Sequence, residues 1–167
     1  MSNDIKQEIA ATAARLVVEE GLEYGPAKRR ALRELGLPAR QALPDNETLE
    51  NEVIDYVQLF CADSQPQELL ALRRLALVWM QRLQEFRPHL SGAVWRGTAT
   101  RLSDIYIQLF CDDSKQAELA LLDKQVRFDV SAVSGFRGET VDALSIHSRC
   151  PVLNEDIGVH LMVYDYD

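Results

Sequence analysis

Apolar residues recur at three- and four-residue spacing through the first half of the chain, which is the period of an amphipathic helix. Ile5, Ile9, Ala13 and Leu16 predict a helix over residues 3 to 20, with Gly21 free to take the left-handed conformation that ends it. Pro26 suits the first turn of a second helix that carries Leu32 and Leu35, and Gly36 with Pro38 closes it. Asp45 or Asn46 can cap a third helix that places Leu49, Val53, Val57 and Phe60 on one face. Ser64 and Gln67 form a capping box for a fourth, whose stripe of Leu69, Leu72, Ala76, Met80 and Leu83 runs to Phe86 before Pro88.

Beyond residue 100 the period shortens to two. Ile105, Ile107 and Leu109 alternate with Asp104, Tyr106, Gln108 and Phe110, as a strand requires. A short helix over 114 to 122 follows, then strand-like alternation at Val126, Phe128 and Val130, at Leu144 and Ile146, and at Val159, Leu161 and Val163. The expected fold is α+β: N-terminal helices packed on a small mixed β-sheet in a single domain of residues 1 to 167. Its helical layer covers 1 to 87 and its sheet 88 to 167. Because the chain closes on Tyr164-Asp165-Tyr166-Asp167 directly after a strand, an edge there could pair with a second copy, so a homodimer is an open expectation.

Tyr56 to Leu72 and Tyr106 to Leu122 share a tyrosine, Gln-Leu-Phe-Cys, Asp-Ser, Glu-Leu and a final leucine in register. The first copy follows helical spacing and the second a Gly-rich stretch with strand-like alternation, so a true duplication is the less favoured reading.

With 47% hydrophobic and 26% charged residues, the 167-residue chain has the make-up of a packed globule. Three cysteines without C-x-x-C spacing suggest buried thiols and no disulfide framework or zinc knuckle. No apolar run reaches membrane-spanning length and the N-terminal residues lack signal-peptide character, so a cytoplasmic protein without membrane contact is expected. The net charge of -8 repels polyanions, which makes nucleic acid an unlikely partner.

Residues 91 to 109, Ser-Gly-Ala-Val-Trp-Arg-Gly-Thr-Ala-Thr-Arg-Leu-Ser-Asp-Ile-Tyr-Ile-Gln-Leu, carry the candidate chemistry. This segment resembles the signature of the DNA polymerase beta-like nucleotidyltransferase superfamily, in which Gly-Ser or Gly-Gly opens a helical turn and a strand about ten residues later carries Asp-x-Asp. Nucleotidyl transfer uses two divalent cations roughly 4 Å apart, held by several carboxylates that converge from one strand face and its neighbour. A glycine-rich turn lets backbone N–H groups approach phosphate oxygens.

The resemblance implies a nucleotide-binding turn of Gly92, Ala93, Arg96, Gly97 and Thr98, with Asp104 and Asp129 as catalytic and metal-binding carboxylates. The pattern is broken at two places. Tyr106 stands at the second acidic position, where a phenol is a poor ligand for Mg²⁺, and Ala93 replaces the usual serine or glycine. The implied protein is therefore nucleotidyltransferase-like and catalytically degenerate. It would hold Mg²⁺ weakly if at all and bind a nucleoside triphosphate or a partner.

The alternatives are an active Mg-dependent transferase acting on a small molecule or protein, and a structural or interaction domain without a small-molecule site. On the plainer reading of the residues, Asp104 accepts backbone hydrogen bonds at a loop-to-strand junction and Asp129 lies on a solvated strand face. His147, His160 and Cys150 form a weaker metal candidate. Cys111 beside Asp112 and Asp113 is expected to be an inert thiol, and Arg29, Arg30 and Arg33 a solvated, salt-bridged face.

Overall fold

The computed structural model describes residues 2–166, Ser2 by its backbone alone. The chain divides into two compact units, Met1–Pro66 and Gln67–Asp167. In the first, α1 (Ser2–Glu20), α2 (Tyr24–Glu34) and α3 (Asn46–Phe60) bury Ile9, Ala13, Leu16, Ala31, Leu32, Leu49, Val53 and Val57 in a cluster of their own. Alanines at 13, 14, 27 and 31 let the helices approach closely, and the larger aliphatics fill the remaining space. Gly21 and Gly36, at φ 71° and 68°, end α1 and α2 in the left-handed conformation. Asp45 is the residue that caps α3, its Oδ1 accepting from the Thr48 N–H at 2.8 Å. Arg30 pairs with Glu20 and Glu34, as expected of a salt-bridged surface. Phe60 does not share the buried stripe of α3: it is 66% exposed and packs against the Tyr56 ring.

The second unit begins with α4 (Gln65–Arg82, its first two residues ahead of the division) and a 3-10 turn at Gln84–Phe86. Then come β1 (His89–Ser91), α5 (Gly92–Arg96), β2 (Ile105–Cys111), α6 (Ser114–Asp123), β3 (Asp129–Ser134), β4 (Thr140–Cys150) and β5 (Glu155–Asp165). The architecture is thus α+β. The strands form one mixed sheet in the order β1-β2-β5-β4-β3, with β2 and β5 parallel and the other neighbours antiparallel.

Alternation along β2 places Ile105, Ile107, Leu109 and Cys111 on the face that also carries Leu144, Ile146, Val159, Leu161 and Val163. α4 supplies Leu72, Ala76 and Trp79 to that cluster, Leu83 follows from just past its end, and α6 supplies Ala117 and Leu121, so the fourth helix belongs to the sheet's core. Trp79 fixes α4 on this face by donating its Nε1–H to Ser148 Oγ at 3.0 Å.

The C-terminal strand is not an edge. β5 lies between β2 and β4, because its continuous apolar face and parallel pairing to β2 make it the centre of the sheet. The edges are β1, only three residues long, and β3. The two similar segments part in structure. Tyr56 to Cys61 completes and leaves a helix, Tyr106 to Cys111 is a strand, and only their second halves are alike, each entering a helix after Asp-Ser.

Candidate functional site

The face of the sheet opposite α4 and α6 carries the polar and aromatic members of each alternation. Pairing registers set Ser91 beside Tyr106, Tyr106 beside His160, His160 beside Ser145 and Ser145 beside Asp129. Cross-strand partners project from the same face, so these five residues form one transverse row.

Asp104 stands one residue ahead of β2, and its carboxyl reaches over Gly158 to accept a hydrogen bond from His160 Nε2 at 2.8 Å. Gly158 is what admits it: a Cβ there would lie 2.8 Å from the Asp104 Cγ. The other ring nitrogen of His160 lies 2.8 Å from Ser145 Oγ. An ionised carboxylate only accepts, so the neutral imidazole carries its proton on Nε2 and Nδ1 accepts from the Ser145 hydroxyl. The Tyr106 ring stacks on that imidazole, centroids 4.8 Å apart and planes 26° from parallel.

Connectivity from serine to histidine to aspartate is present, yet a nucleophilic serine also needs preorganised donors for a developing oxyanion. Ser145 is the last residue of β4 paired on both sides, and beyond it β4 pairs with β5 alone. The chain of bonds positions Asp104 and His160.

Residues 92 to 96 form a short helical turn. Ser91 precedes α5, Gly92 adopts φ 72°, and Gly97 ends the helix at φ 96°. The Ala93 carbonyl accepts from both Gly97 N–H at 2.9 Å and Thr98 N–H at 3.1 Å. Arg73 of α4 fixes the turn by donating Nε to the Val94 carbonyl at 2.9 Å and Nη2 to that of Trp95 at 3.0 Å. Arg96 is exposed, Ala93 is half-buried, and the Thr98 hydroxyl is buried without a hydrogen-bond partner among the described residues. Trp95 is exposed. Tyr106 occupies the space over Gly92: a Cβ at that glycine would meet Tyr106 Cδ2 at 3.2 Å.

The structure therefore brings Gly92 against Tyr106, and Asp104 and Tyr106 against His160, whereas Ala93 packs on the apolar core. Asp129 stands elsewhere. It lies exposed on β3, three strand spacings or roughly 14 Å from β2, with His160 and Ser145 between. Among the described residues no three His, Cys, Asp or Glu side chains gather as a metal-ligand group.

On the strand next to Tyr106, its cross-strand partner is His160. The donor set is one carboxylate, one phenol and one imidazole, which does not suit a pair of oxygen-seeking Mg²⁺ ions. Ser145 is the site residue that sequence reasoning missed, and His160, grouped there with His147 and Cys150, instead meets Asp104, Tyr106 and Ser145. Alternation put His160 opposite Val159 and Leu161, but nothing in the sequence paired β5 with β2.

Cys111 is buried, and burial raises its thiol above the ordinary value, with Asp113, Asp112 and Asp165 adding to the shift. No protein-family model and no curated protein matches this chain.

Proposed function

We propose that the protein is a nucleotidyltransferase-like domain that has given up two-metal catalysis and uses the open face of its sheet for binding, with a nucleotide as the ligand at the Gly92 end. The observation that carries this reading is the state of Asp104. The carboxylate that would anchor a metal is hydrogen-bonded to His160, and the two neighbouring ligand positions hold Tyr106 and His160. The turn of Gly92 to Thr98, followed by a strand entered through Asp104, supports the nucleotidyltransferase resemblance. The stacked Tyr106 and His160 rings supply a π-surface for a planar base.

A second reading, an interaction domain without a small-molecule site, is favoured by one observation: the Tyr106 ring fills the space over Gly92. Calorimetric titration of the whole chain with ATP and GTP, with and without Mg²⁺, separates the readings. Metal-independent binding supports the degenerate nucleotide binder, and absence of heat with either nucleotide supports the interaction domain. Binding that requires Mg²⁺ and releases pyrophosphate would overturn both.

A further inference from the structure

At the far end of the same sheet face, four residues further along β2 and roughly 13 Å from Tyr106, the side chains change character. Phe110 and Tyr164 stack with centroids 5.6 Å apart, and Phe136, from the β3–β4 hairpin, packs on Tyr164 at 4.5 Å. With Tyr166 these rings line a depression of about 570 Å³, within the size range of small-molecule sites. Its walls also carry Glu139, Asp142 and Asp165 against a single cationic side chain, Arg137.

The depression is preformed. Gly135 donates its N–H to the Glu139 carbonyl at 2.6 Å and leaves no room for a side chain beside Tyr164, which holds the hairpin and its Phe136 in place. Glu139 Oε1 accepts from the Arg137 backbone N–H at 2.9 Å. Phe136 and Tyr166 remain 57% and 51% exposed, so their rings are accessible.

Two features specify what such a surface takes. Aromatic faces are negative and attract cations, and here they already do so: Arg137 stands 5.4 Å from the Phe136 centroid and Arg87 3.9 Å from that of Tyr166. Carboxylates outnumber basic groups in its lining. Lys115, the other cation near Asp142, is engaged by Glu118 at 3.0 Å. An anionic ligand would meet repulsion on several sides, whereas a cation with an apolar or planar body meets rings and carboxylates together.

We propose that this depression is a binding site for a small organic cation whose head is a guanidinium or a methylated ammonium. The rings of Phe110, Phe136, Tyr164 and Tyr166 receive the head and its apolar substituents, and Asp142, Asp165 and Glu139 supply the countercharge. This site is independent of the nucleotide reading, whose residues lie at the other end of the face.

The test is an NMR titration of the isotopically labelled full chain with agmatine and with choline, using AMP as the anionic planar control. At least one cation is expected to give saturable shifts confined to the depression, weakening as salt is raised. Phe136→Leu keeps an apolar side chain of similar bulk but removes the π-face, and is expected to weaken binding about tenfold with the rest of the spectrum unchanged. Asp165→Asn is expected to weaken it in the same direction. The proposal is overturned if neither cation gives saturable shifts up to roughly 10 mM, if AMP binds there in preference to both, or if Phe136→Leu binds as tightly as the parent.

Discussion

Replacing Gly158 by alanine tests the link between Asp104 and His160 directly. The added Cβ would lie 2.8 Å from Asp104 Cγ and Oδ2, too close for any real contact, so the carboxyl must swing away and release His160. A hydrogen bond of this kind contributes about 0.5 to 1.5 kcal/mol net. Asp104 is 43% exposed, so water replaces the lost partner and a value near 1 kcal/mol is appropriate.

Against that loss, alanine is better than glycine within a strand by about 0.5 to 1 kcal/mol. Gly158→Ala alone should therefore change stability by less than about 1 kcal/mol, which by itself says little. The informative quantity comes from a double-mutant cycle with Asp104→Ala. In that background the clash is gone and Gly158→Ala should stabilise by the full 0.5 to 1 kcal/mol or so.

The two substitutions should consequently couple by about 1 kcal/mol. Urea unfolding followed by tryptophan fluorescence measures it, because Trp79 and Trp95, the two tryptophans of the chain, both lie in the sheet-bearing unit. Additivity within about 0.3 kcal/mol would refute the placement of Asp104 over Gly158.

Two further outcomes follow from the same structure. Asp45 is held below its ordinary value near 3.8 chiefly by the Thr48 backbone N–H. Its stabilisation of α3 is therefore complete above that value and fades as pH falls through the lower, folded-state one. Thermal unfolding followed by helical circular dichroism should show this acid-side loss in the parent and not from this position in Asp45→Asn, which keeps the cap without the charge; identical acid profiles would count against it. The double variant Tyr106→Asp/His160→Asp places three carboxylates around the Gly92 turn and should acquire Mn²⁺ binding, seen as paramagnetic broadening at Gly92 and Asp104. Equal broadening in parent and variant would show that these positions do not form the ligand set.

The four N-terminal helices, α6 and strands β2, β4 and β5 were legible because each has a clear period, whereas the three-residue β1 carried none and Val126 and Phe128, read with Val130 as a strand, precede β3. Asp45, Gly21 and Gly36 marked helix ends that the structure keeps, and the alternation around Ile105, Leu144 and Leu161 named the inward faces of the three longest-range strands. Strand order was not legible. Period 2 says which residues share a face but not which strand lies beside which, so Asp129 could be imagined next to Asp104, although β5 and β4 come between. The placement of His160 beside Tyr106 was hidden for the same reason.

Tyr-x-Gln-Leu-Phe-Cys shows the limit most sharply. At 106 to 111 it is a strand with Ile107 and Leu109 in the core, and at 56 to 61 much the same sequence ends a helix with Leu59 74% exposed. Local preference there is weak enough for tertiary burial to decide.

Charge then constrains how either end of the sheet face can be used. A phosphate placed about 5 Å from the Asp104 carboxylate would be opposed by roughly 3 kcal/mol at an effective dielectric near 20, and by under 1 kcal/mol in open water. The penalty is avoidable only if the phosphates of a bound nucleotide sit away from Asp104 and the base takes the Tyr106 and His160 rings. At the other end the carboxylates surround the rings themselves, so turning an anionic ligand does not relieve the repulsion and the sign of the ligand must change instead. Stacking surfaces recur along the face, and the placement of the acids relative to them determines which ligand each can accept.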